Sequence, residues 1–126
     1  MRLVQVALRA ENLDRAATFY EQLLGSPPAA RFDPPGLLFF DVGGVRLMFG
    51  REAEPSLVYL GVDDVEQTIA GLRDRVEVIS EPHVIFSHED DALGPAGMDE
   101  WQAFVRDSEG NSVGLVSWKP RASSDA

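Results

Sequence analysis

His83 and His88 are the two imidazoles of a chain of 126 residues that has no cysteine. Thiolate chemistry is therefore excluded, and imidazole and carboxylate chemistry remain. Glu89, Asp90 and Asp91 follow His88 directly, and Asp99 and Glu100 close the same stretch. The two histidines stand five positions apart, whereas residues of a strand share a face only at even separations. That spacing does not build a metal site. A lone imidazole titrates near neutral pH and can act as a general base, but the sequence offers neither one a nucleophile or a partner. They read as a strand-end His83 and a solvated loop His88, with no metal. The five carboxylates of Ser87 to Glu100 read as a solvated face that is also able to steer a basic or polyamine-like molecule.

The elements that must position these residues follow from periodicity and turn chemistry. Leu3 to Arg9 alternates as a half-buried strand, with Val4, Val6 and Leu8 on one face. Asn12 is an N-cap for a helix whose stripe is Leu13, Ala16, Ala17, Tyr20 and Leu24. Gly25 ends that helix, and Pro27-Pro28 forbid its continuation. Pro34-Pro35-Gly36 turns into a hairpin from Leu37 to Phe49, with Asp41 before Gly43-Gly44. Residues 51–55 read as a linker. Leu57 to Val62 is then a second first strand, Asp64 a second cap, and Val65, Ile69, Leu72 and Val76 a second stripe. A strand near Glu77 to Phe86 follows. Ser87 to Glu100 reads as a loop, and Trp101 to Ser117 as a hairpin around Asp107-Ser108-Glu109-Gly110-Asn111. Asn12 and Asp64 differ by 52 positions, Asp41 and Asp107 by 66. The chain is thus internally duplicated, with about fourteen extra residues in the second copy, and the spacing of the copies suggests a function between them.

Composition narrows the function. A chain of this length with 44% hydrophobic residues supports one core-bearing domain. A net charge of −10 argues against a nucleic-acid partner. No apolar run reaches ~18 residues, so no membrane partner is expected, and the start has no signal-like apolar segment. A cytoplasmic location is the expectation, which the lack of cysteine permits.

The opening V-A-L-R-A-E-N-L-D-R-A-A-T-F-Y-E-Q-L-L-G and the closing R-D-S-E-G-N-S-V-G-L-V, in this order and duplicated, resemble the vicinal oxygen chelate superfamily of glyoxalases, bleomycin resistance proteins and extradiol dioxygenases. The resemblance implies an α+β fold of two tandem βαβββ modules, a curled mixed sheet around a cup, and a homodimer. A single domain over residues 1–120 would hold module 1 at about 1–50 and module 2 at about 56–118, with residues 121–126 as a flexible tail. The resemblance also places the metal-binding positions of the superfamily on Gln5, Leu57, Met48 and Gly114. A divalent ion there wants oxygen and imidazole donors. Gln5 has an amide oxygen, Met48 a soft thioether, and Leu57 and Gly114 have no donor, so no metal and no cofactor is expected.

What remains is a cup for a small-molecule ligand. Strand parity brings Leu3, Ala7 and Arg9 to the side of Gln5, Arg46 to that of Met48, Tyr59 to that of Leu57, and Ser112 and Val116 to that of Gly114. A hairpin of even register adds Trp101, Ala103 and Val105. The candidate lining is Gln5, Ala7, Arg46, Met48, Leu57, Tyr59, Trp101 and Gly114, mainly apolar with a few polar handles. No catalytic residue is assigned. The reading is a metal-independent binder resembling the bleomycin-resistance branch, possible in antibiotic immunity, that sequesters an aromatic or cationic compound. The alternatives are a lyase, isomerase or dioxygenase-type enzyme with a non-standard or metal-free site, and an interaction module whose cup is filled by its own core.

Overall fold

The computed structural model describes residues 1–121. Residues 122–126, most of the expected tail, lie outside the described residues. Arg121 itself is anchored, donating its backbone N–H to the Gly97 carbonyl at 3.0 Å. No helix among the described residues is long and apolar enough to cross a membrane.

Two βαβββ modules follow one another. The first runs β1 (Gln5–Arg9), α1 (Leu13–Leu24), β2 (Ala30–Phe32), β3 (Leu37–Val42) and β4 (Val45–Gly50). The second runs β5 (Leu57–Gly61), α2 (Val65–Leu72), β6 (Glu77–Ser87), β7 (Met98–Arg106) and β8 (Ser112–Pro120). Each module makes its own four-stranded sheet, in the orders β1-β4-β3-β2 and β5-β8-β7-β6. The repeated order is the structural form of the duplication.

In the first compact unit, β1 lies parallel to β4, and β3 antiparallel to both β4 and β2. The β3–β4 turn needs positive φ at both central residues, which Gly43 (57°) and Gly44 (86°) provide. Asn12 caps α1 by accepting the Arg15 N–H at 3.0 Å, and Gly25, at φ 73°, returns its N–H to the Glu21 carbonyl. The helix lays Ala16 and Tyr20 on Leu8, Leu38, Phe40, Leu47 and Phe49, all buried. Tyr20 and Phe49 are in ring contact at 4.5 Å between centroids.

In the second unit, Asp64 caps α2 through the Gln67 N–H at 3.0 Å, and the Val65 N–H is bound by the Ser117 hydroxyl at 3.0 Å. Val65, Ile69 and Leu72 pack with Ala103, Val105, Val113 and Leu115 as its core. Val76 lies beyond the end of α2 and is only half-buried.

Several boundaries differ from expectation. The first strand starts at Gln5, leaving Leu3 and Val4 exposed before it. The short β2 has no alternation to announce it and gains its ladder only by pairing Ala30 to Phe32 with Phe39 to Leu37. The expected loop from Ser87 to Glu100 is a loop only over residues 88–97. Its ends join the β6–β7 ladder, with Phe86 opposite Glu100 and Ser87 opposite Asp99. Backbone pairing there tolerates acidic side chains, and the Ser87 hydroxyl donates to Asp99 at 2.6 Å. The interval from second to third strand is seven residues in the first module (30 to 37) and twenty-one in the second (77 to 98). The extra length is thus shared between β6 and the loop.

The turn 107–112 groups with residues 1–57 as the first compact unit. Asp107 Oδ1 accepts the N–H groups of Glu109 and Asn111, each at 2.8 Å, while Oδ2 accepts the Tyr20 hydroxyl at 2.6 Å and the Asn111 amide at 2.8 Å. Asn111 also bridges Arg9 and Ser56, accepting both backbone N–H groups and donating to the Arg9 carbonyl. Glu109 accepts the N–H groups of Glu11 and Asn12 at 2.9 Å and pairs with Arg15 at 2.6 Å. Burial alone would push the Glu109 carboxyl up, but Arg15, the Asn12 N–H and Ser108 outweigh it and hold it below the usual carboxylate value of 4.5. Tyr20 is pushed far up by burial and by Asp107, so its hydroxyl stays a donor.

Asp107→Ala removes the acceptor for four donors and should cost about 3 kcal/mol or more in urea unfolding; a loss below about 1 kcal/mol would show that the cluster does not hold the unit. Because the folded carboxyl of Glu109 sits below its unfolded value, its contribution is complete above 4.5 and fades as pH falls. The stability gap between the parent protein and Glu109→Gln should accordingly shrink from pH ~7 to pH ~3, and a gap independent of pH would refute the assignment.

Candidate functional site

Each sheet carries its helix on one face and leaves the other open. On the first, Leu47 and Phe49 turn to α1, so Gln5, Ala7, Arg46 and Met48 share the open face by strand pairing: Gln5 is opposite Arg46, and Ala7 opposite Met48. Phe39 is opposite Met48 from the other side. The Gln5 amide is engaged at both ends, its N–H₂ directed at the Met48 sulfur at 3.5 Å and its oxygen accepting from Arg46 Nε at 3.0 Å. The Arg46 guanidinium also lies 5.9 Å over the Phe39 ring. A concavity of about 670 Å³ opens elsewhere in this unit, beside the start of α1, and reaches only Met48 of the expected residues. Within its lining, Arg31 holds Asp14 at 2.6 Å and Asp33 at 3.6 Å.

On the second sheet, a Cβ built on Gly114 would lie 2.7 Å from the Tyr59 ring and 3.0 Å from that of Phe104. These two rings meet edge to face at 5.6 Å. Tyr59, Gly114 and Phe104 therefore share the open face, and alternation adds Gln102 and Glu100 along β7 and Val116 and Trp118 along β8. From β6, His83 stands opposite Gln102 and Phe86 opposite Glu100. Leu57 and Tyr59 are about half exposed, at 51% and 55%.

Two expectations are corrected here. Trp101, with Ala103 and Val105, lies on the helix face, where Lys119 stacks on it at 4.9 Å and pairs with Glu66 at 2.7 Å. The reason is the turn: five residues, Asp107 to Asn111, separate β7 from β8, an odd number that sets Phe104 rather than Ala103 or Val105 against Gly114. His88, expected in solvent, is 2% exposed and donates from Nε2 to Glu100 Oε1 at 2.8 Å. Gly94 of the loop lies against it, so close that a Cβ would fall 2.7 Å from the ring. His83 is exposed on the edge strand and donates from Nδ1 to the Glu81 carbonyl.

Glu100 is the hub of this polar group. Oε1 also accepts from Trp118 Nε1 at 3.3 Å, and Oε2 from the Gln102 amide at 2.6 Å. Burial pushes the carboxyl up, but the donors His88, Gln102 and Trp118 overcome this and hold it below its usual value. Sequence reasoning missed Glu100, Gln102, Phe104 and Trp118; counting parity through the five-residue turn would have found them.

The metal-binding positions implied by the resemblance do not fit a divalent ion. The one hard donor among Gln5, Met48, Leu57 and Gly114, the Gln5 oxygen, is held by a guanidinium, whose charge repels a cation. No group of three or more His, Asp or Glu among the described residues is placed to hold a metal.

Tandem βαβββ modules with this strand order define the class of the fold. The chain belongs to the Glyoxalase/Bleomycin resistance protein/Dioxygenase superfamily, whose profile matches residues 2–115. Solved structures similar to it include a lactoylglutathione lyase from Agrobacterium tumefaciens (20% identity, 91% of this chain and 92% of that one, TM-score 0.67). TioX from Micromonospora sp. ML1 is similar at 21% identity over 92% and 98%, with a TM-score of 0.65. A superfamily member from Sphaerobacter thermophilus DSM 20745 shares 16% identity over 92% and 96%, with a TM-score of 0.69. At these identities the likeness is one of fold. A comparison with curated proteins found no match.

The His88 contact is testable through glycine. The buried, hydrogen-bonded ring cannot swing aside, so Gly94→Ala should destabilise by about 1–3 kcal/mol. Gly71→Ala in α2, where a Cβ meets nothing within 4 Å, should stabilise by about 0.5–1 kcal/mol. Equal effects of the two in urea unfolding would contradict the described packing of the loop.

Proposed function

We propose that the chain is a small-molecule-binding protein of its superfamily that holds an aromatic compound on an open sheet face without a metal ion. The observation that carries this reading is the donor set: a guanidinium occupies the one oxygen available at the superfamily's metal-binding positions. Support comes from the surfaces themselves. Phe39 and Met48 on one face, and Tyr59 and Phe104 on the other, give apolar area for stacking with polar groups at hand. Binding by stacking and exclusion of water would serve sequestration. Leu57, Gly114, Ala7 and Arg46 belong to this reading as lining; Trp101 enters it only if a ligand reaches the helix face. Pairing into a homodimer, implied by the resemblance, is part of the same proposal, and light scattering tests it.

One observation favours a second reading, an enzyme with a metal-free site: His88 is buried on a carboxylate, the arrangement that fixes a tautomer for proton transfer.

Elemental analysis of the purified protein, followed by thermal-shift titration with Zn²⁺, Ni²⁺, Mn²⁺ and anaerobic Fe²⁺, decides the metal question. The expected outcome is no stoichiometric metal and no metal-dependent shift, with saturable stabilisation by members of an aromatic small-molecule panel following RT ln(1 + [L]/Kd). Stoichiometric metal that is lost in Gln5→Ala would overturn the proposal.

A further inference from the structure

The open face of the second sheet distinguishes between an aromatic and a cationic ligand. Its polar centre is Glu100, and the groups around it are rings: Trp118, Phe86 and the His88 imidazole near the carboxylate, Phe104 and Tyr59 further along the face. Trp118, Phe86 and Tyr59 are 38%, 50% and 55% exposed, so these rings are open to a ligand. A carboxylate offers about four acceptor positions. Three on Glu100 are filled, two at Oε1 by His88 and Trp118 and one at Oε2 by Gln102. One acceptor position at Oε2 has no donor among the described residues, on a side chain that is 16% exposed.

The charge is not cancelled by a neighbouring arginine or lysine. Arg121 is committed to Glu89 at 3.0 Å and to Asp99 at 3.9 Å. Lys119 is on the helix face with Glu66, Asp64 and the Trp101 ring. His88 donates one hydrogen bond from Nε2 to the carboxylate. Gln102 does the same with its amide. These side chains act as positioning residues: they fix the oxygen pair in one orientation among the rings.

We propose that Glu100 receives the protonated nitrogen of a flat aromatic ligand whose ring stacks on the open face of the second sheet. This rests on the reading of that face as a small-molecule surface and names its ligand class, an organic aromatic cation. Such a molecule gains twice, from the charge-assisted hydrogen bond to the carboxylate and from the negative faces of the aromatic rings. A neutral ring of the same shape gains only stacking, and an anion is repelled.

The two tryptophans, Trp101 and Trp118, lie on opposite faces of the sheet, so Trp101→Phe leaves one indole next to Glu100 as a reporter. Quenching of its fluorescence is titrated with three planar probes at neutral pH: aminoacridine (cation), acridine (neutral) and acridine carboxylate (anion). Aminoacridine should bind about tenfold or more tighter than acridine, as a charge-assisted bond requires. Glu100→Gln should reduce that preference to about threefold or less, below what such a bond supplies. If that variant does not fold, Glu100→Asp, which withdraws the carboxylate by one methylene, should lower the preference at least about threefold. Equal binding of cation and neutral ring, or a preference that Glu100→Gln leaves intact, overturns the assignment of Glu100 while leaving the small-molecule reading in place. No saturable quenching by any probe overturns both.

Discussion

The first unit depends on a carboxylate and an amide buried in a turn. An isolated carboxylate out of water is costly, and only near-complete hydrogen bonding makes it tolerable. Asp107 meets that condition with four donors. Asn111 then ties the turn to the backbone of Arg9 and Ser56, and Glu109 takes the N–H groups just ahead of α1. None of these groups is available for a ligand. The stretch that reads in the sequence as a hairpin turn, D-S-E-G-N, is also a structural clamp, and its acidity holds the end of one strand, the start of one helix and the Tyr20 hydroxyl together.

The fold was legible because its local signals agree with one another. Asn12 and Asp64 each precede an apolar stripe and each caps a helix. Gly43-Gly44 can only be a tight hairpin turn, and the offsets of 52 and 66 already carried the repeat. What failed was non-local. β2 has three residues and exists because β3 offers it an edge. The start of β7 reads as acidic loop because side-chain polarity says nothing about backbone pairing on an open face.

The candidate site was half legible. Gln5, Ala7, Arg46 and Met48 do share a face, since β1 and β4 pair without irregularity. Tyr59 and Gly114 meet as parity requires. Trp101 was placed on the wrong side by a single count through an odd turn, and that count moves every residue of β7 at once. Hence Glu100 and Gln102 were hidden together. His88 was misread for another reason: nothing in the sequence states that Gly94, six residues on, folds back onto its ring, a contact open only to a residue without a side chain.

The allocation of residues 107–112 to the first unit also bears on how the protein can be divided. A duplicated chain with a linker at residues 51–55 invites separation into halves, yet a cut there would not yield two complete modules. A fragment ending at the linker would strand the Tyr20 hydroxyl and the Arg9 N–H without their acceptors, and would leave the Arg15 guanidinium without Glu109. The complementary fragment would carry Asp107 and Glu109 as carboxylates that have lost their partners from α1. The modules repeat in sequence but are not interchangeable parts, because one has lent the other its last turn.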